Sequence, residues 1–306
     1  MKQNPLAYLA LVAICLIWGT TYLALRIGVL HFPPFLFSLI RQLTAGTLLI
    51  GALLLFGKVP MPRLRDIKYQ AIAGFFMITL GNGLVGWAEV HIPSGIAAVI
   101  CSLVPLIIIL INLVANKDEK PNIPIIVGSI LGFAGITMIF GVDMSQFSNT
   151  DYLLGILLTF VAITAWAVCS VWLKKRKTQT NPFMNAGLQM FFGGVWLIPF
   201  SLAFDDLTSI TWSAEAGYAL LYLTVFGSLI AFSCYIYALR RLPVTLVSLH
   251  AYVNPIIAVI LGWAILNEAL NITMWIAMLL TVSGIYIVNR GHQLRDQWRA
   301  QLSSQQ

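Results

Sequence analysis

Charge is what this chain lacks most. Only 9% of its 306 residues are Asp, Glu, Lys or Arg, against roughly 25% in a soluble globular domain. Hydrophobic residues make up 59%, and the mean hydropathy is +0.87. That balance excludes most soluble-enzyme readings. Cysteine is also sparse: Cys15, Cys101, Cys169 and Cys234 show no CxxC spacing, and all fall within apolar runs. They read as small apolar fillers, not as redox or metal groups. There is no HExxH, no GxSxG and no His/Asp/Glu cluster at metal-ligand spacing, and Gly57-Lys58 is followed by Val59, so there is no Walker A sequence. A membrane enzyme needs convergent reactive groups, and acids within the apolar runs are nearly absent. Neither catalysis nor a cofactor nor a metal is expected.

What the chain does have is long apolar runs. A helix crossing the hydrocarbon core needs about 20 mostly apolar residues. Ten such spans are read, at about 6–28, 35–57, 70–90, 93–115, 122–141, 152–173, 182–204, 215–239, 243–266 and 271–289. The first is long enough to cross and no small-residue cleavage site follows it, so it reads as a span and not as a signal peptide.

The net charge of +7 raises the question of nucleic acid, and its distribution answers it. Lys2, the group Lys58–Lys68, Lys117 and Lys120, the run Lys174–Lys177, Arg240 and Arg241, and Arg290, Arg295 and Arg299 all fall in alternate gaps between spans. The opposite gaps hold no basic residue, but contain Asp143, Asp151, Asp205, Asp206 and Glu215. This is the positive-inside pattern of a multi-pass protein of the cell (inner) membrane, with both termini cytoplasmic. The basic gaps are placed to meet anionic lipid head groups, and no nucleic-acid partner is expected.

The two halves of the chain echo each other. Pro93 and Pro243, and Pro105 and Pro255, differ by 150; Trp18 and Trp166, and Pro34 and Pro182, by 148; Glu119 and Glu268, and Gly135 and Gly284, by 149. A nearly constant offset is the mark of a duplicated unit. The expected fold class is all-α integral membrane: two five-helix repeats, residues 1–145 and 146–290, with a cytoplasmic tail at 291–306. An odd number of spans per repeat inserts the second copy upside down. Inverted repeats of this kind build many secondary transporters, with the solute site near the membrane midplane at their interface.

Several motifs then carry a family resemblance. They are Trp18-Gly19-Thr20-Thr21-Tyr22, Arg41-Gln42-Leu43-Thr44-Ala45-Gly46, Gly81-Asn82-Gly83 with Glu89, Pro93-Ser94-Gly95-Ile96-Ala97-Ala98, and Ala251-Tyr252-Val253-Asn254-Pro255 followed by Glu268. Over about residues 6–290 the chain resembles the EamA-type branch of the drug/metabolite transporter superfamily. The resemblance implies ten helices in two inverted repeats, a central cavity, and export or exchange of small metabolites, often amino acids or related compounds. Two positions depart from it. His250 stands where an apolar residue is expected, and Trp166 is followed by Ala167 instead of glycine.

A charge within a span is expensive and is a functional candidate by default. Arg41 lies about 10 Å into its helix from the outer end, and its repeat partner by the 148 offset is Gln189. A guanidinium there holds either a substrate carboxylate, bidentately, or helix-end carbonyls or Glu89. Glu89 pairs with Arg41, binds a substrate amine, or takes up a proton. Arg26, near a helix end, reads as an anchor that snorkels. Glu119 and Glu268 are expected at the start of the last helix of each half, as structural groups on the macrodipole.

Pro105 and Pro255 each free a carbonyl one turn earlier and mark candidate kinks or gates near mid-membrane. Asn82 and Asn254 offer amides at similar depth. Trp18 and Trp166 are central, as a gate, a solute wall or plain packing, with Thr21 one turn from Trp18. Trp87, Trp263, Tyr235 and Tyr237 read as interfacial aromatics. Tyr252 and His250 approach from the cytoplasmic half, His250 as hydrogen-bonded structure or a proton relay. Gly128, Gly132 and Gly135 give close helix contact, within one chain or in a homodimer.

The expected solute site is therefore Trp18, Thr21, Arg41, Asn82, Glu89, Trp166, Tyr252 and Asn254. The expected function is a secondary transporter for small carboxylated, amphipathic solutes such as amino acids. A channel-like facilitator and a broad-specificity drug exporter stand as alternatives.

Overall fold

The architecture comes from a computed structural model in which residues 5–57, 59–115, 123–141, 149–176, 180–211, 213–248, 250–268 and 272–303 are described. The described residues form helices and their connections, with no strand. In chain order the helices are α1 (Pro5–Val29), α2 (Pro34–Leu55), α3 (Leu64–His91), α4 (Ser94–Cys101), α5 (Val104–Ala115), α6 (Ile123–Gly141), α7 (Thr150–Lys175), α8 (Pro182–Phe204), α9 (Ala214–Arg241), α10 (Val244–Val247), α11 (His250–Leu266) and α12 (Ile272–Ser303).

Among the described residues, seven stretches are long and apolar enough to cross a bilayer: α1, α2, α3, Ser94–Ile111 taken through its break, α7, α8 and α9. Val253–Leu266 and Ile272–Val288 are apolar but shorter. The last helix, α12, is the longest of those described. It runs unbroken to Ser303, through the stretch expected to be a tail, because 291–303 holds no proline and no glycine after Gly291.

Helix starts follow local chemistry. Pro34 and Pro182 occupy first-turn positions, where a missing N–H is not needed. The Asn181 side chain accepts from Phe183 N at 2.9 Å, and Asn149 accepts from Asp151 N at 2.9 Å. The α2 start is capped from afar: Asp205, at the end of α8, accepts from Leu36 N at 2.7 Å and Phe35 N at 3.3 Å.

The radial pattern is that of a protein whose solvent is lipid. Leu6, Leu9, Val12 and Leu16 stand exposed along α1, while Arg41, Gln42, Gln70, Thr79, Glu89 and Gln189 are buried. Small residues allow the closest helix contacts, as expected where association relies on packing. The two most extensive helix pairs are α6 with α12 and α2 with α8, and in both the partners are repeat-equivalent in sequence. Both pairs run antiparallel. A Cβ on Gly46 would strike the backbone of Phe191 and Gly187, whereas the space beside Gly194 is filled by Leu43. Likewise Gly128 faces Gly284 and Val288, and Gly135 faces Ala277 and Thr281.

Two stretches depart from α geometry. Phe75–Gly83 in α3 and Leu223–Phe232 in α9 are wound as π-helix. Their starts differ by 148 residues, the same offset seen in the tryptophans. A π stretch widens the turn and re-aims side chains; the first puts Gly81 and Asn82 on the cavity described next, and the second bonds Trp18 and Arg41 of its wall through Gly227 and Ser228.

Candidate functional site

The geometry begins with α1, whose Trp18 stands at the centre of the bundle. Its ring meets Trp166 of α7 edge-on at 5.6 Å between centroids, Tyr235 of α9 at 5.2 Å and His250 of α11 at 4.9 Å. Trp18 Nε1 donates to the Gly227 carbonyl at 3.2 Å, inside the second π segment. Trp166 Nε1 donates to the Tyr235 hydroxyl at 3.1 Å, and that hydroxyl lies 2.8 Å from Ser170 Oγ. Gly81 makes room for this: a Cβ there would press on the Trp166 ring at 2.9 Å.

Beside this cluster lies a cavity of about 100 Å³. Trp18, Thr21, Arg41, Asn82, Trp166, His250 and Asn254 line it, with Tyr22, Cys101 and Ala251 among their neighbours. Six of the eight residues expected to form one site therefore share one wall. Arg41 is the one formal charge described on that wall. Its Nε donates to Ser228 Oγ at 2.8 Å, and Ser228 Oγ is 3.4 Å from Gln42 Oε1. Among the described residues, neither of the two structural partners expected for Arg41 bonds it; a serine in a π segment takes that place.

The remaining candidates fall elsewhere. Glu89 is fully buried behind the wall, and neither carboxylate oxygen has a hydrogen-bond partner among the described residues. Arg26 and Arg41 are the cations whose fields reach it. It neither bonds Arg41 nor lines the cavity. The side chain of Tyr252 and the whole of Glu119 lie outside the described residues. Pro105 occupies the first turn of α5, just after the break at Ser102–Leu103, so it begins a helix instead of kinking one. Pro255 lies inside α11. The carbonyls one turn before these prolines, which cannot receive their N–H bonds, belong to Cys101 and Ala251, and both residues line the cavity.

His250 and Asn254, one turn apart on α11, form a polar pair. With its nitrogen toward the carbonyls of Cys15 (3.1 Å) and His250 (2.9 Å), the Asn254 amide oxygen accepts from His250 Nδ1 at 3.2 Å. The opposite orientation would set the amide oxygen against those two carbonyl oxygens. A donating Nδ1 leaves the lone pair of the neutral ring on Nε2, and Nε2 has no partner among the described residues. The cavity thus joins a guanidinium with an unused acceptor.

Two expectations need correction. Tyr235 is not interfacial but 2% exposed in the aromatic cluster. Aromatics commonly collect at the interfaces, and nothing local in the sequence marks this one as central. Glu268 does not start α12. It follows α11 and crosses to the start of α4, accepting from Ser94 N at 3.0 Å, Ser94 Oγ at 2.9 Å and Gly95 N at 3.3 Å. It is still a carboxylate on a helix N-terminus, but the helix belongs to the other half of the chain.

The model of the EamA-like transporter family matches this sequence twice, over residues 5–141 and 153–290. The chain belongs to the EamA-like transporter family. It is 36% identical over 288 residues to an uncharacterized inner membrane transporter, YedA, of Escherichia coli K12, covering 93% of this chain and 91% of the relative. It is 26% identical to the uncharacterized transporter YoaV of Bacillus subtilis (91% and 95% covered) and 26% identical to protein PecM of Dickeya dadantii (89% and 88%). A crystal structure 21% identical in sequence aligns with a TM-score of 0.67 over 93% of this chain and 96% of that one, a likeness of fold alone. The protein is a multi-pass membrane transporter of the drug/metabolite transporter kind.

Proposed function

We propose that this protein is a secondary transporter of small carboxylated solutes that also carry a hydrogen-bond donor, the α-amino acids being the simplest class, and that it works by alternating access. One observation carries the reading. Arg41 and His250, whose Nε2 is a buried nitrogen without a partner among the described residues, line the same cavity. A buried guanidinium binds a carboxylate through charge-assisted bonds, and an ammonium or hydroxyl completes His250. The volume, about 100 Å³, is below the roughly 150 Å³ of a cavity that accepts benzene. A small solute fits that space better than the bulky cargo of a broad drug exporter.

The expected frame of ten spans in two inverted repeats, about 1–145 and 146–290, gives this cavity its place. Antiparallel packing of repeat partners α2 with α8 and α6 with α12 supports it, because a two-fold axis in the membrane plane reverses helix direction. The family model's two matches support the duplication. On the charge pattern, both termini face the cytoplasm. Metabolite export, or exchange, is the direction expected from the family resemblance, and Glu89 behind the wall is the acid that would exchange a proton with the pathway.

The test is counter-flow in proteoliposomes preloaded with unlabelled amino acids, one at a time, using a labelled external pool. The reading expects a transient overshoot for at least one of them, which a channel does not give. Arg41→Gln should abolish it while the protein stays monodisperse. No overshoot with any amino acid, or an undiminished one in Arg41→Gln, would contradict the reading.

A further inference from the structure

A second cavity, of about 310 Å³, lies where α3, α7, α8 and α9 meet at the basic end of the bundle. Lys174, Arg176 and Arg240 line it with the amides of Gln70, Asn185 and Gln189, and no carboxylate is described on its wall. It is separate from the central cavity. Ser170 and Tyr235 stand between Trp166 and Lys174, which are eight residues, about 12 Å, apart along α7.

The wall is cationic, and neutral groups position Lys174 and Arg176. Lys174 Nζ donates to the carbonyls of Leu239 and Leu242, both at 2.7 Å. The Arg176 guanidinium lies over Tyr69 and Trp172, 5.2 and 5.0 Å from the ring centroids. Arg240 donates to the Thr180 carbonyl. Carbonyls and ring faces orient Lys174 and Arg176 without cancelling their full charge, so this hollow attracts an anion.

Gln189 adds a second, independent requirement. It is 1% exposed, its Nε2 donates to Gln70 Oε1 at 2.6 Å, and its own Oε1 has no partner among the described residues. A buried acceptor left unmatched is costly, and this one asks for an N–H or O–H from whatever fills the cavity.

We propose that the second cavity is a binding site for a phosphate ester with a hydroxyl or ammonium donor beside the phosphate. Several cations favour a phosphate over a lone carboxylate, and the neighbouring donor satisfies Gln189. A glycerophospholipid headgroup and a free glycerol or sugar phosphate share this chemistry. The site is independent of the solute reading for the central cavity.

The test uses the purified full-length protein. The soluble arm is calorimetric titration with sn-glycerol 3-phosphate at fixed ionic strength, with glycerol as the neutral control. The lipid arm is native mass spectrometry of adducts with phosphatidylglycerol, which has donor hydroxyls, against phosphatidylcholine, which has none. Arg176→Gln and Lys174→Gln should each weaken binding by about tenfold, as expected for loss of a charged hydrogen bond. Arg241→Gln removes equal charge from a residue off this wall and should change binding less than twofold. Because Lys174 also ties two carbonyls, the exposed Arg176 carries the test if Lys174→Gln fails to fold.

Binding in the soluble arm identifies a free phosphate ester. Binding in the lipid arm alone identifies the headgroup. Absence of binding in both arms, no preference for phosphatidylglycerol in a lipid-only response, or an Arg241→Gln effect as large as that of Arg176→Gln overturns the proposal.

Discussion

Trp18 and Trp166, 148 residues apart in the chain, meet edge to face with their ring centroids 5.6 Å apart. Each ring also donates its N–H across to α9, Trp18 to the Gly227 carbonyl and Trp166 to the Tyr235 hydroxyl. Repeat partners therefore touch at the middle of the bundle and brace the same third helix. Two substitutions separate the contributions. Trp166→Phe keeps an aromatic body and loses the hydrogen bond, an expected cost of about 0.5–1.5 kcal/mol. Trp166→Ala empties the site at an expected cost of about 3–5 kcal/mol. Thermal unfolding in detergent should rank them in that order; equal losses would mean that the Tyr235 bond, not packing, dominates.

The interior glycines make a sharper contrast. Gly46→Ala would place a methyl against the backbone of Phe191 and Gly187, while a methyl on Gly51, further along α2, meets nothing within 4 Å. The first change should destabilise by about 1–3 kcal/mol through overpacking. The second should stabilise by up to about 1 kcal/mol through helix propensity. Melting temperatures of the two variants should move in opposite directions, and a common direction would contradict the antiparallel contact of α2 with α8.

Glu268 and Ser94 tie the end of α11 to the start of α4 by three kinds of bond to one carboxylate. Glu268→Ala leaves two amides and a hydroxyl without an acceptor and should cost about 1–3 kcal/mol. Ser94→Ala removes only the hydroxyl and should cost about 0.5–1.5 kcal/mol. In a double-mutant cycle the two should be non-additive by at least about 0.5 kcal/mol. Strict additivity would show that the pair does not act together.

Much of this was legible in the sequence because the bilayer imposes simple rules. Apolar runs of fixed length mark the seven membrane-length helices among the described residues, and the repeat offset pairs Trp18 with Trp166. Arg41, Asn82 and Asn254 stood out because polar groups are rare in such runs. What was hidden depends on geometry without a composition signal. The π segments at Phe75–Gly83 and Leu223–Phe232 read as ordinary helix, so Ser228 as the partner of Arg41 had no marker. Tyr235 carries the same composition signal as an interfacial aromatic. Glu89 looked exposed to the pathway because depth along a helix can be counted, whereas the direction it faces cannot. Gln189 was visible only as the repeat partner of Arg41, and its own cavity follows from how α8 packs against α3.

The most direct test uses a reporter already on the cavity wall. Cys101 lines it, whereas Cys15, Cys169 and Cys234 do not. In a chain carrying Cys15→Ala, Cys169→Ala and Cys234→Ala, the rate of Cys101 modification by a small polar thiol reagent is measured with and without the amino acid that gives counter-flow. The account predicts that saturating solute slows labelling by about tenfold or more, and that Arg41→Gln removes the protection by weakening a charge-assisted bond. Labelling at the same rate with and without solute would contradict it.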